Sequence, residues 1–338
     1  VVGIKLMIMK MSMGIFDKCN YVEPKYDFLE KYVTMAYKGF WTPAKYEKLI
    51  REVDAPFFFN EMTAVEREAV KRCILAIATV EDKVKNFWNG LFHEIPQTIV
   101  SDIGALFAQM ETTHRRSYHA LAEALSIDTS NLESYKELRD RVSYLNKHIE
   151  KDPKIIGKKR VLKTLTLFTS LIEKGSLFSQ FYILMSFDKN KRGLTTISSL
   201  QMSTASEEES HYRFGIDLIN IIKQEYPQLW EEYLVELISK NIEVAYNTEL
   251  KLIDWFFEKG VPNHLTKVEV INFLNYNFNT ISRDLELDIT FDFDKKLYTE
   301  KNEWFMIKLI SSEPDFFNAP AGGYSAEREE INLDTFEF

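Results

Sequence analysis

A glutamate, a histidine and a tyrosine follow one another in "METTHRRSYH" as Glu111, His114 and Tyr118, at i, i+3 and i+7. On a helix of 3.6 residues per turn all three project from one stripe. Ala108, Leu121 and Leu125 extend that stripe with apolar groups, so it faces a core. A carboxylate and an imidazole turned into a core must be paired, hydrogen-bonded or bound to a metal, because an isolated buried charge is very costly. A second Glu-x-x-His occurs as Glu208 and His211 in "TASEEESHYRFGIDLI". Two more carboxylates stand inside apolar runs, Glu81 in "ILAIATVEDKV" and Glu173 in "LFTSLIEKGSLF". Dimetal carboxylate bundles are built from these parts: two helices each give Glu-x-x-His and two others each give one Glu. With 51 acidic residues in the chain the bare spacing is weak, since solvated acids on helix faces also produce it. Order and context carry the argument: Glu81 precedes Glu111, and Glu173 precedes Glu208, each pair on consecutive long helices. Four carboxylates and two imidazoles at one centre repel unless roughly four positive charges join them, which two metal ions supply.

The elements that must position these groups are helical. Long helical periodicity dominates, and only 12 glycines punctuate it, so the fold class is all-α; with the paired Glu-x-x-His motifs a ferritin-like bundle with extra helices is expected. Helices are expected near 26–38, 63–91, 97–125, 131–149, 156–187, 195–223, 228–258 and 266–284. Thr63 offers an N-cap with Glu66 at the capping-box position, and Pro96 suits the opening of the next helix. The chain divides into an N-terminal segment (1–20), a dimetal-carboxylate helical domain (21–310) and a flexible tail (311–338). That tail holds prolines, paired glycines and many acids without a helical stripe.

At 338 residues, 45% hydrophobic and 14% aromatic, the chain can fill a large core. A net charge of −9 argues against a nucleic-acid partner. Cys19 and Cys73 suit a reducing cytoplasm as free thiols. Lys5 and Lys10 interrupt the N-terminal apolar stretch before it forms a targeting core, and no apolar run approaches the about 20 residues that span a bilayer. A soluble protein is expected.

With Tyr118 one turn beyond His114, the chain resembles the small, radical-generating subunit of class I ribonucleotide reductase, from "GFWTPAKY" to its last residue. The resemblance implies metal ligands Glu81, Glu111, His114, Glu173, Glu208 and His211. It implies an oxidised dimetal cluster that gives an electron hole to a large catalytic subunit, which then reduces ribonucleotides to deoxyribonucleotides. "GFWTP" puts Trp41 where the family keeps a tryptophan near the ligand matching His114. Glu207 takes an acidic position where aspartate is usual, and Tyr324 matches the tyrosine that relays the radical between subunits. A tryptophan in an amphipathic stretch otherwise means core packing. The ending "NLDTFEF" has acids and two phenylalanines, a composition suited to folding onto a partner, and in the family this end docks the large subunit. A homodimer through the long helices is implied as well, in keeping with the aromatic richness of "NFLNYNF" and neighbouring segments.

Two departures bear on the cofactor. Most of the family has aspartate where this chain has Glu81, and Lys85 follows one turn later, able to reach Glu111 or the Tyr118 hydroxyl. Glutamate followed by lysine at this spacing resembles the dimanganese subclass, Id, in which a Mn(III)/Mn(IV) pair is the oxidant and the tyrosine holds no stable radical. Lys85 as a snorkelling surface side chain is the plain alternative. The manganese pair is favoured, with Fe/Fe or mixed Mn/Fe as alternatives, because nitrogen and oxygen ligands suit both metals. Leu177 and Phe181 would wall Tyr118 from water. The competing function is a ferritin-like dimetal oxidase or monooxygenase on a small or lipid substrate; an iron store would need neither Trp41 nor the aromatic tail.

Overall fold

The computed structural model describes residues 14–19 and 24–312, with the backbone alone at 24, 81–85 and 312. Tyr324 and the tail that carries it lie outside the described residues, as do the side chains of Glu81 and Lys85. No strand occurs among the described residues; one isolated bridge joins Cys19 to Gln97.

The chain enters through α1 (Glu30–Lys38) and a short α2 (Ala44–Leu49), which runs through a π-helical turn (Ile50–Asp54) into α3 (Ala55–Asn60). Two long antiparallel helices follow, α4 (Ala64–Gly90) and α5 (Thr98–Ala124). Thr63 and Glu66 form the expected capping box at the start of α4. Gly104 lets α5 approach α4 closely: a Cβ there would lie 2.5 Å from the Trp88 carbonyl oxygen. After α6 (Lys136–Leu145) comes α7 (Gly157–Phe168), a π-helical segment (Thr169–Gly175), and α8 (Phe178–Lys189). Helix α9 (Thr195–Glu225) lies against that segment and α8; α10 (Glu232–Phe256), α11 (Lys267–Leu285), the short α12 (Lys295–Leu297) and α13 (Glu303–Ser312) complete the body.

Three of the helical stretches that depart from the sequence expectation each contain a π turn. The expected single helix over 156–187 is two helices joined by Thr169–Gly175, the helical stretch 44–60 was not expected, and neither was 295–312. An i→i+5 turn inserts one residue and breaks the 3.6-residue phase on which periodicity depends. The expected 131–149 helix is likewise shorter, with 3₁₀ turns flanking α6.

Residues 14–19 pack onto the bundle. Gln97 Nε2 donates to the carbonyls of Gly14 at 3.1 Å and Asp17 at 2.6 Å, and the Ile15 amide donates to Glu225 at 2.7 Å. The "NFLNYNF" stretch lies in α11. Phe273 and Phe278 are wholly buried within this chain, against Tyr182 and Phe305 and against Tyr246 and Phe291. These two rings belong to the chain's own core, while Tyr276 between them is half-buried. No described helix is long and apolar enough to cross a membrane.

Candidate metal centre

Four elements converge on one buried point. Helix α5 brings Glu111 and His114; the π segment brings Glu173; α9 brings Glu207, Glu208 and His211; α4 brings Trp88. Glu111, His114, Glu173, Glu208 and His211 are all at most 1% exposed. Both imidazoles turn Nδ1 inward. His211 Nδ1 lies 3.0 Å from Glu111, 3.2 Å from Glu208 and 3.5 Å from Glu173, while His114 Nδ1 lies 3.1 Å from Glu208 and 3.5 Å from Glu111. Glu111 and Glu208 therefore stand between the two histidines, with Glu173 at the His211 end.

The charges hold one another. Burial works against a charged imidazole, but the surrounding carboxylates outweigh it and hold His114 and His211 well above the usual histidine range. Burial would also raise Glu208, yet the two histidines keep it well below the usual carboxylate range. Glu173 goes the other way, raised well above that range by burial and then by the charge of Glu208.

The donor set fits metal ions. One donor atom each from Glu111, Glu173, Glu208 and His211 lie within 4.8 Å of one another. Both oxygens of Glu111, His114 Nδ1 and Glu173 Oε2 are buried without a well-directed hydrogen-bond partner. Such orphaned atoms are rare in a folded interior, and here they face the same point. Carboxylate oxygens with imidazole nitrogens suit iron or manganese.

Around this point stand residues that orient it. Trp88 Nε1 donates to Glu173 Oε1 at 2.9 Å, leaving Oε2 to face the centre. His114 Nε2 lies 2.6 Å from Glu207 Oε2, and Trp41, in the loop between α1 and α2, donates its indole N–H to Glu207 Oε1 at 3.0 Å. The Trp41 ring is stacked towards His114, with centroids 6.1 Å apart. Trp41 and Glu207 border a surface cavity of about 320 Å³, also lined by Lys38, Phe40 and Lys45. Tyr118 is buried and donates to Gln201 Oε1 at 2.7 Å. Leu177 and Phe181 are buried as well. Of the expected site residues, Glu111, His114, Glu173, Glu207, Glu208, His211 and Trp41 come together, and Tyr118 follows His114 by four residues on α5. The side chains of Glu81, Lys85 and Tyr324 lie outside the described residues.

Sequence reasoning missed Trp88 and Gln201. Trp88 follows Glu81 by seven residues on α4, and Gln201 precedes Glu208 by seven on α9. Each shares the stripe of a candidate ligand, a signal that could have singled them out.

Long helices that turn paired Glu-x-x-His motifs and a further glutamate onto one buried centre define a dimetal-carboxylate bundle of the ferritin-like class. The sequence model of the family "Ribonucleotide reductase, small chain" matches residues 18–298, and this chain belongs to that family. The ribonucleoside-diphosphate reductase subunit beta of Chlamydia pneumoniae is 23% identical over 302 residues, 83% of this chain and 85% of that one. The R2 subunit of ribonucleotide reductase from Clostridium botulinum has the same fold, with a TM-score of 0.72 at 16% identity over 88% of this chain and 94% of that one. A dimanganese(II)-NrdF from Streptococcus sanguinis has a TM-score of 0.67 at 14% identity over 87% of this chain and 98% of its own. R2-like ligand-binding oxidases share the fold too.

Proposed function

We propose that this small subunit keeps its oxidising equivalent on a dimanganese pair, with Tyr118 as a bystander, and passes it to a large catalytic subunit through His114, Glu207, Trp41 and Tyr324. Glu81, Glu111, His114, Glu173, Glu208 and His211 would hold the metals, which when bound supply the one-electron oxidant that side chains alone lack. The observation that carries the reading is the unbroken hydrogen-bonded line from the Trp41 indole through both oxygens of Glu207 to His114 Nε2. Glu207 holds the indole proton and orients the imidazole, so that Nδ1 points inward. Trp41 is 6% exposed and borders the surface cavity, which supports an exit on this face.

Support for manganese comes from Glu81 with Lys85 one turn later, and from the dimanganese(II) protein among the structures of this fold. The Tyr118 hydroxyl donates to the Gln201 amide oxygen, a neutral acceptor, at 2.7 Å. The large subunit is the partner, docked through the 311–338 tail, and the small subunit works as a homodimer in the cytoplasm. In turnover with the cognate large subunit, Tyr118→Phe should keep most of the activity, whereas Trp41→Ala or Tyr324→Phe should lose nearly all. A dead Tyr118→Phe, together with a sharp tyrosyl paramagnetic signal in the activated wild type, would replace the metal-centred reading with a tyrosyl-radical one.

A further inference from the structure

Lys174 follows Glu173 inside the π segment, and Glu209 sits between Glu208 and His211 on α9. Their side chains are 1% and 7% exposed, and Lys174 Nζ lies 2.5 Å from Glu209 Oε2. Arg213 Nε donates to the other Glu209 oxygen at 3.0 Å. The ammonium also lies 4.1 Å from the centroid of the Phe178 ring and 5.5 Å from that of Tyr212. A buried ion pair therefore ties the neighbour of Glu173 to the neighbour of Glu208.

A buried pair of this kind is a poor source of net stability, since apolar residues of similar volume often serve as well. Its position says more. A π segment carries one residue more per turn than an α-helix, and a slip of one residue would turn Glu173 by about 100° about the helix axis. Glu173 itself is held by Trp88, and the segment's exit is held by Arg141, which donates to the Ser176 carbonyl. Between them, Lys174 ties the segment by a buried ion pair to α9, the helix carrying Glu208 and His211, alongside the Glu173–His211 contact and the packing of Thr169 on Gly215.

We propose that Lys174 is a positioning residue for the metal centre: its buried ion pair with Glu209 holds the π register in which Glu173 faces Glu208 and His211. The inference rests on reading the site as a dimetal centre.

The test is manganese(II) titration of the full chain after chelation, with free manganese read by paramagnetic resonance and folding followed by circular dichroism. Lys174→Met leaves Glu209 with Arg213 alone. The double variant Lys174→Met/Glu209→Leu leaves no deeply buried lone charge, because the Arg213 side chain is 28% exposed and can turn to water. The double variant should keep wild-type helicity and bind the second manganese about 10–100-fold more weakly, the usual effect of losing a group that orients a ligand. Lys174→Arg, which keeps the charge, should bind both. Two ions bound at wild-type affinity in either apolar variant would overturn the assignment. Failure of the double variant to fold would overturn it too, by showing that the pair holds the fold and not the register. A wild type that takes up neither manganese nor iron would instead sink the dimetal reading itself.

Discussion

Replacing Glu207 by glutamine isolates the link between the centre and its exit. The glutamate accepts from Trp41 at 3.0 Å with one oxygen and meets His114 Nε2 at 2.6 Å with the other. An amide has one acceptor and one donor group, so it satisfies only one of these as they stand. With its oxygen on Trp41, its NH₂ faces His114 Nε2, which must then give up its proton to accept, leaving the ring proton on Nδ1, the atom turned towards Glu111 and Glu208. With its oxygen on His114, two donors face each other and the indole N–H is left unpaired. Either outcome costs about 1–3 kcal/mol, the range for one unsatisfied buried polar group. Water from the adjoining cavity can relieve the second outcome, which favours the lower half of that range. The expected effect is a roughly 5–30-fold loss in manganese(II) affinity or in turnover with the large subunit, at about 1.4 kcal/mol per factor of ten. Glu207→Asp, which keeps both acceptors on a shorter stem, should recover most of it. Wild-type metal affinity together with wild-type turnover in Glu207→Gln would refute the reasoning and take Glu207 out of the route.

Gly215→Ala should strike the centre through packing: a Cβ there would lie 2.1 Å from Thr169 Oγ1 and 2.9 Å from Thr169 Cβ, at the first residue of the π segment. A loss of about 1–3 kcal/mol in urea unfolding is expected, partly relieved by Thr169→Gly, and a wild-type melt would contradict the close approach. Asp54 caps α9 through the Ile197 amide at 2.6 Å, and burial, outweighing the Ile197 and Thr196 backbone bonds, pushes its carboxyl up to about 6. The folded state then binds this proton more tightly than the unfolded chain, so its stabilising contribution is full below about pH 4 and lost as pH rises through 6. Relative to wild type, Asp54→Asn should gain roughly 2 kcal/mol between pH 4 and 7, the shift discounted for solvent screening; a constant offset across that range would contradict it.

The amino-acid sequence by itself determined the helical class, the capping box at Thr63, and the identity of the inward-facing donors on α5 and α9. These are local properties: a 3.6-residue period puts Glu111 with His114, and Glu208 with His211, on one stripe whatever lies opposite. Trp41 and Glu207 were nameable only through family resemblance, because 166 positions separate two groups that share one hydrogen bond. Tertiary structure alone decided where Glu173 points. Its helix is not a continuous one, and the π turn that aims it is selected by Trp88, Arg141 and Glu209 from three other helices. The same holds for "NFLNYNF", whose aromatic richness says that it is buried but not by what. Periodicity fixes which face of a helix turns inward; the partner across that face, and any break in the helix that re-aims a side chain, are fixed only by the elements that pack against it.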